Sequence, residues 1–245
     1  MTDPRSSPTP AASARTTVRR GVDRATYDAA QIRSILHAGV IAHVGVTTPD
    51  GPIVLPMAYG IRPRAHDHGD GADPGGGDEA GHEVLLHGSL ANALLRAGRS
   101  IDVCLTVTIV DGLVIARTPL HNSMNYRSVV VRGTATAVEG IDARRMALRV
   151  INDHVAAIWD DARTPSDSDV RKTLVLAIPL DEASAKVRVG DPSDEQHDLA
   201  GPHWAGVVPL TATWGPPRTA ADLREDVAPP AAVISLAGSD AHAEA

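Results

Sequence analysis

Apolar and polar positions alternate with two different periods along this chain. Over 27–37 (YDAAQIRSILH) the apolar residues Ile32, Ile35 and Leu36 recur at helical spacing. A β-rich run follows at 40–47 (VIAHVGVT), and Pro49-Asp50-Gly51 is a turn signal. The segment 52–59 (PIVLPMAY) reads as a second strand, with Pro56 marking it as an edge or a bulge. A third strand is predicted at 83–87. Ser89 then caps a helix to about residue 97, with Leu90, Leu94 and Leu95 on one face. The run 101–110 (IDVCLTVTIV) alternates strictly and meets Asp111-Gly112, which predicts a hairpin returning through 113–118. A long strand is expected over 125–139, with a bulge or bend at Gly133. Next comes a helix over 141–159, capped by Asp142, with Met146, Leu148, Val150 and Ile151 as its apolar stripe. Strands at 172–179 and 184–189 and an extended segment at 204–210 complete the pattern. About seven or eight short strands with few helices favour an antiparallel, mainly β barrel over a parallel sheet.

The ends of the chain carry no periodicity. Residues 1–20 and 224–245 read as disordered tails flanking one domain over 24–215. Within that domain, 63–82 (PRAHDHGDGADPGGGDEAGH) is a Gly- and Asp-rich flexible insertion. His66, His68 and His82 lie in it, but their spacing is not that of a preorganised metal site, so the stretch reads as a solvated linker.

Composition narrows the function classes. A chain of 245 residues with 43% hydrophobic and 22% charged residues is globular rather than disordered or fibrous. No apolar run approaches the roughly 18 residues of a membrane span, and the polar N-terminus is not a secretory signal. A cytoplasmic protein that contacts no membrane is expected. A single cysteine, Cys104, rules out an internal disulfide framework, and its place in an alternating strand predicts a buried structural thiol. The net charge of -7 argues against a nucleic-acid binder. With no Phe, three Trp and three Tyr, the few aromatics are informative. Phosphate-loop, dinucleotide, GxSxG and HExxH motifs are all missing.

Three constellations carry candidate chemistry. In Leu86-His87-Gly88-Ser89 a strand runs through a tight turn into a helix whose N-terminus suits an anion, with Arg96 two turns on. In 121–132 (HNSMNYRSVVVR) polar groups lead into an apolar strand, where Tyr126 and Ser128 face one way and Arg127 the other. In 52–59 a proline-bearing strand leaves backbone groups free for a ligand. Each also has an ordinary structural reading: an N-cap, a polar loop and an edge strand.

Taken in order, IRSIL, IAHVGV, VLPMAYG, LHGS, LTVTIVDGLVIAR, SMNYRSVVVRGTA, EASAKVR and WAGVVPL resemble the FMN-binding split-barrel family related to pyridoxamine 5′-phosphate oxidase. The nearest likeness is to its flavin-nucleotide-binding and nitroimidazole-resistance branch, over about 24–215. The resemblance implies a six-stranded antiparallel split barrel that forms a homodimer with FMN at the interface. It implies that Leu55, Pro56, Met57 and Ala58 run beside the flavin, with His87, Gly88 and Ser89 at the adjoining turn. Asn92 and Arg96 would lie toward the phosphate, Tyr126, Arg127 and Ser128 at the cofactor, with Arg127 or Arg96 neutralising the phosphate, and Trp204 near it from late in the chain. His87 is the implied catalytic group, donating a hydrogen bond or proton near the flavin. The Arg and His that bind substrate in true pyridoxamine 5′-phosphate oxidases have no match around WAGVVPL, which argues against vitamin B6 oxidation. The implied activity is a flavin-dependent oxidoreductase taking electrons from NADH or NADPH and acting on a small planar substrate. A non-catalytic flavin or haem carrier and a deazaflavin-dependent reductase are the alternatives.

Overall fold

The longest strand shows how the sequence builds the sheet. In the computed structural model, which describes residues 9–64, 81–88 and 100–243, strand β6 covers Ser100–Ile115. Its inward positions Val103, Leu105, Val107 and Ile109 are all buried, while Asp102, Cys104 and Thr108 are exposed. The expected hairpin at Asp111-Gly112 does not form. β6 runs straight through it beside β7 (Ser123–Ala137), with a register shift between Val110 and Gly112. Asp111 is the extra residue of a bulge, and its carboxylate is held by Arg127. Gly112 is not among the glycines with positive φ, which a tight DG turn requires.

Among the described residues ten strands form one hydrogen-bonded sheet, where the resemblance implies six. They are β1 (Ala25–Thr26), β2 (Ala42–Thr48), β3 (Gly51–Met57), β4 (Tyr59–Pro63), β5 (His82–His87), β6, β7, β8 (Val175–Pro179), β9 (Ala183–Arg188) and β10 (Gly206–Pro209). The main path is β3-β2-β6-β7-β8-β5-β4, with β9 on β7, β1 on β9 and β10 on β6. The described chain is thus mainly β with few helices. The run expected as one strand over 52–59 is broken at Ala58 into β3 and β4. Among the described residues β3 pairs only with β2, so Pro56 sits in an edge strand. Gly133 is not a bulge. It stays in register with Val103, between the part of β7 that pairs with β9 and the part that pairs with β8.

The helices are α1 (Ala29–Ala38), α2 (Ile141–Val155), α3 (Asp167–Lys172) and α4 (Ala231–Leu236). α1 buries Ile32, Ile35 and Leu36 against the main core. α2 is shorter than expected, because Ala156 is extended, and its N-cap is Gly140 rather than Asp142. Ala147 and Ile151, not Met146, carry its buried face, joining Leu85, Val175 and Ala177 in a second small core. Residues 167–172, partly expected in a strand, form α3 behind a Ser166–Asp169 capping box. The helix expected over 89–97 lies outside the described residues. Among the described residues, the segments before 21 and after 223 carry local contacts. Val18 donates its N–H to the Tyr27 hydroxyl at 2.8 Å, Thr213 bridges to Asp240, and a His242 ring nitrogen bonds the Ala38 carbonyl at 3.1 Å.

Candidate functional site

The corner between β3 and β4 brings together two segments far apart in sequence. Tyr59 is fully buried, and its hydroxyl lies at 2.5 Å from the carbonyl oxygen of Leu36 and 3.0 Å from that of Gly39. This anchor fixes Met57 and Ala58 immediately before it. β4 pairs with β5 so that Tyr59 lies opposite Leu86, which sets His87 beside Ala58. Gly88 follows with φ of 141°, a conformation that favours glycine. A Cβ there would lie 3.7 Å from the Met57 methyl. Of the candidates named from sequence, Met57, Ala58, His87 and Gly88 therefore converge.

His87 and Ala58 open into a cavity of about 430 Å³. Its far wall is α2, through Leu148, Ile151 and Val155, with Trp159 and Arg163 from the segment that follows. α2 approaches so closely because of Gly60: a Cβ there would sit 2.7 Å from the Val150 carbonyl oxygen. His87 is exposed at the cavity mouth, and the partial desolvation it meets there lowers its pKa from the ordinary value, so the ring is neutral at neutral pH, with one nitrogen donating and the other accepting. The wall is mostly apolar, with the neutral His87 imidazole on one side and the Arg163–Asp169 ion pair on another, an arrangement suited to a planar ring system.

Leu55 and Pro56 occupy the open edge of β3. This edge is apolar and exposed, with Val54 at 63% and Leu55 at 36%. Among the described residues no strand pairs with its free side.

The second group of candidates lies elsewhere. Leu55, Val44, Leu105 and Val131 form one row across β3, β2, β6 and β7. Ser128 is three strand spacings from Leu55 and three residues further along, about 14 Å across and about 10 Å along. Within the chain Tyr126, Arg127 and Ser128 do not join the His87 corner. Tyr126 and Ser128 face outward, and Ser128 lies between Thr108, whose hydroxyl is 3.2 Å away, and Lys186. Arg127 points the other way into a two-point contact with Asp111 at 2.9 and 3.2 Å. Trp204 is 65% exposed, and its ring covers Gly206 at the start of β10, near the same end of the sheet. Ser89, Asn92 and Arg96, like His66 and His68, lie outside the described residues. Cys104 is exposed on the outward face of β6 rather than buried, because its position in the alternation points away from the core.

Sequence reasoning missed Trp159, Arg163, Thr108 and Lys186. Trp159 is one of three Trp and Lys186 one of two Lys, so rarity was the available signal. No helix among the described residues is long and apolar enough to cross a membrane.

Known proteins now bear on this geometry. No curated protein matches the chain. The solved flavocytochrome Anf3 from Azotobacter vinelandii is 33% identical, with a TM-score of 0.79 over 94% of this chain and 99% of its own. The FAD and haem binding protein from Mycobacterium smegmatis is 28% identical, with a TM-score of 0.75 over 90% of this chain and 100% of its own. Residues 28–187 match the family model described as pyridoxamine 5′-phosphate oxidase, and the chain belongs to that family.

Proposed function

We propose that the protein is a flavin-dependent redox protein holding the flavin mononucleotide portion of its cofactor against the Met57–Ala58 and His87–Gly88 corner. The observation that carries this reading is the convergence of those two segments on one cavity, beside an apolar strand edge whose free side no described strand pairs with. A flavin ring needs flat apolar contact and a few backbone or imidazole hydrogen bonds along its edge. The β3 edge from Leu55 to Ala58 and the neutral ring of His87 fit that need. The flavin supplies electron transfer when bound. The chain supplies the slot, the His87 N–H and the exclusion of water by α2. Ser89, Asn92 and Arg96 take the phosphate in this reading. The electron donor is NADH or NADPH, the acceptor a small planar molecule and the compartment the cytoplasm.

Tyr126, Ser128 and Trp204 enter through a homodimer, the arrangement the family resemblance implies. The separation of Ser128 from Leu55 within one protomer favours that arrangement, as does an exposed apolar row. Met124, Leu113 and Val208 lie directly opposite one another on three adjacent strands, each close to half exposed. Arg127 serves as a structural partner of Asp111 rather than a phosphate ligand.

A second reading adds a haem. Two of the similar solved proteins carry flavocytochrome and FAD-and-haem descriptions. The cavity here pairs apolar walls with a neutral imidazole, which is the form that binds iron, and with Arg163 at its wall.

The visible spectrum of the purified protein, with mass spectrometry of the ligand released on denaturation, tests both readings. Flavin bands in the wild type that weaken in His87→Ala support the flavin corner. A haem band lost from His87→Ala while flavin stays bound assigns His87 to the haem. A protein that carries and takes up neither overturns the function.

A further inference from the structure

Over 189–243 not one residue is buried, although the segment holds regular structure. β10 and α4 lie in it, Thr213 bridges to Asp240, and Trp214 donates its N–H to the Ser239 carbonyl at 3.0 Å. Neither core cluster takes a side chain from it. We infer that this segment is an arm that packs on a second copy of the chain, each arm being completed by the surface of the partner. The inference rests on the homodimer of the reading above and names the element that holds it together.

An ordered segment must offset the entropy lost in fixing each residue, about 1–2 kcal/mol for the backbone alone. Within one chain the arm has few means of doing so. α4 is too short to stand in water by helix propensity. Beyond Leu210, one hydrogen bond among the described residues ties the arm to the rest of the chain, between a His242 ring nitrogen and the Ala38 carbonyl oxygen. Meanwhile Trp204, Leu210, Leu223, Val227 and Ile234 are each between 42% and 65% exposed. Apolar side chains that recur along an ordered segment in this way mark a contact surface.

The root of the arm is fixed. Arg188 donates to the carbonyls of Gly190 and Asp191 at 3.1 and 3.0 Å. Asp194, whose side chain has no solvent exposure, accepts from the Arg117 guanidinium at 2.7 Å and from its backbone N–H at 2.9 Å. The arm therefore leaves the sheet in one direction, and a preorganised element loses less freedom on docking.

A second copy is the occupant this surface favours. β10 belongs to the arm and sets Val208 beside Leu113 and Met124, so the exposed apolar row of the sheet continues directly into the arm. Across a twofold axis one such surface is used twice, arm on sheet and sheet on arm. A stable pair buries about 800 Å² on each partner, and an ordered segment of this length with no buried residue has that surface to give.

The experiment measures the mass of the full-length chain by light scattering over a dilution series, in the wild type and in Leu223→Glu/Val227→Glu/Ile234→Glu. All three residues are exposed in the single chain, so the variant keeps the wild-type circular dichroism. We expect a dimeric wild type and, in the variant, a dissociation constant at least about a hundredfold weaker, because docking would desolvate three carboxylates. A variant that dimerises as tightly as the wild type overturns the arm and leaves the homodimer to the Met124 row. A monomeric wild type overturns arm and homodimer together. The wild type also gives an answer that does not depend on the variant folding. In dimers mixed from light and heavy-isotope chains, carboxyl-directed cross-links from Asp222, Glu225 and Asp226 to the sheet should join light to heavy, and links confined to one isotope overturn the inference. The visible spectrum of the same samples separates the flavin reading: a dimer without flavin sinks that function and keeps the arm, and a monomer with flavin bound does the reverse.

Discussion

The hydroxyl of Tyr59 meets the backbone carbonyl of Gly39 at 3.0 Å, tying the β3–β4 corner to the last turn of α1. Helix carbonyls at a C-terminus have no partner within the helix, and here tertiary contacts supply them. Tyr59 also reaches the Leu36 carbonyl, a His154 ring nitrogen lies 2.9 Å from the Gly39 carbonyl, and a His242 ring nitrogen bonds that of Ala38. Three distant parts of the chain thus converge on one helix end, next to the corner that carries Met57 and Ala58.

Replacing Tyr59 by Phe keeps the ring and removes only the hydroxyl. The Leu36 carbonyl then loses this contact inside the core. We expect a loss of about 1–3 kcal/mol in urea unfolding, with the m-value unchanged. Flavin retention falls with it, because the corner is held from this point. A Tyr59→Phe protein as stable as the wild type would show that the hydroxyl contributes nothing net.

Acid should act on the same region. Burial, opposed by the Gly39 hydrogen bond and reinforced by the charge of His37, lowers the His154 pKa below 6.5. Burial, with His82 and Arg33 nearby, lowers that of His37, and burial alone lowers that of His87. Above pH 6.5 these rings are neutral in both folded and unfolded chains and add no pH dependence. Below it the unfolded chain takes protons that the folded chain refuses, so stability falls as the pH drops from 6.5 toward the lowered folded values. Urea midpoints between about pH 7.5 and about pH 5.5 should decline on the acid side. In His154→Asn the decline should be shallower. An equal slope in that variant would remove His154 from the account.

What could be read from the sequence followed from local periodicity. The alternation of Val103, Leu105, Val107 and Ile109 located β6, and Ile32, Ile35 and Leu36 located α1. The opposite orientations of Ser128 and Arg127 also follow from a period of two. Long-range partners were not legible. Nothing local says that Arg127 will be taken by Asp111, or that α2 will close over His87 to make a cavity. Trp159 entered that cavity only because the helix stopped at Val155, four residues earlier than its apolar pattern suggests. The Asp111-Gly112 pair shows the limit most directly. The same dipeptide satisfies a hairpin or a bulge, and here β6 continues through it beside β7, while β10, more than ninety residues later, pairs on its other side.

That partner gives the last prediction. β10 pairs with the second half of β6, setting Pro209 opposite Gly112 and Val208 opposite Leu113. A Cβ on Gly112 would lie 2.7 Å from the Val208 carbonyl oxygen and 3.2 Å from the Pro209 Cα. Both obstacles are backbone, so no side chain can swing aside. The glycine is needed here for close approach rather than for a left-handed turn. In Gly112→Ala the cheapest relief is for β10 to leave the sheet, since among the described residues only the short run Gly206–Pro209 and the Leu210 N–H bond to the Asp111 carbonyl hold it there. Trp204, packed on Gly206, would leave with it. Hydrogen exchange should accelerate over 204–210 while β6 and β7 stay protected by their mutual pairing. If the exchange of β6 and β7 rose equally, the alanine would have broken the sheet itself, and the bulge rather than the β10 contact would be what requires glycine.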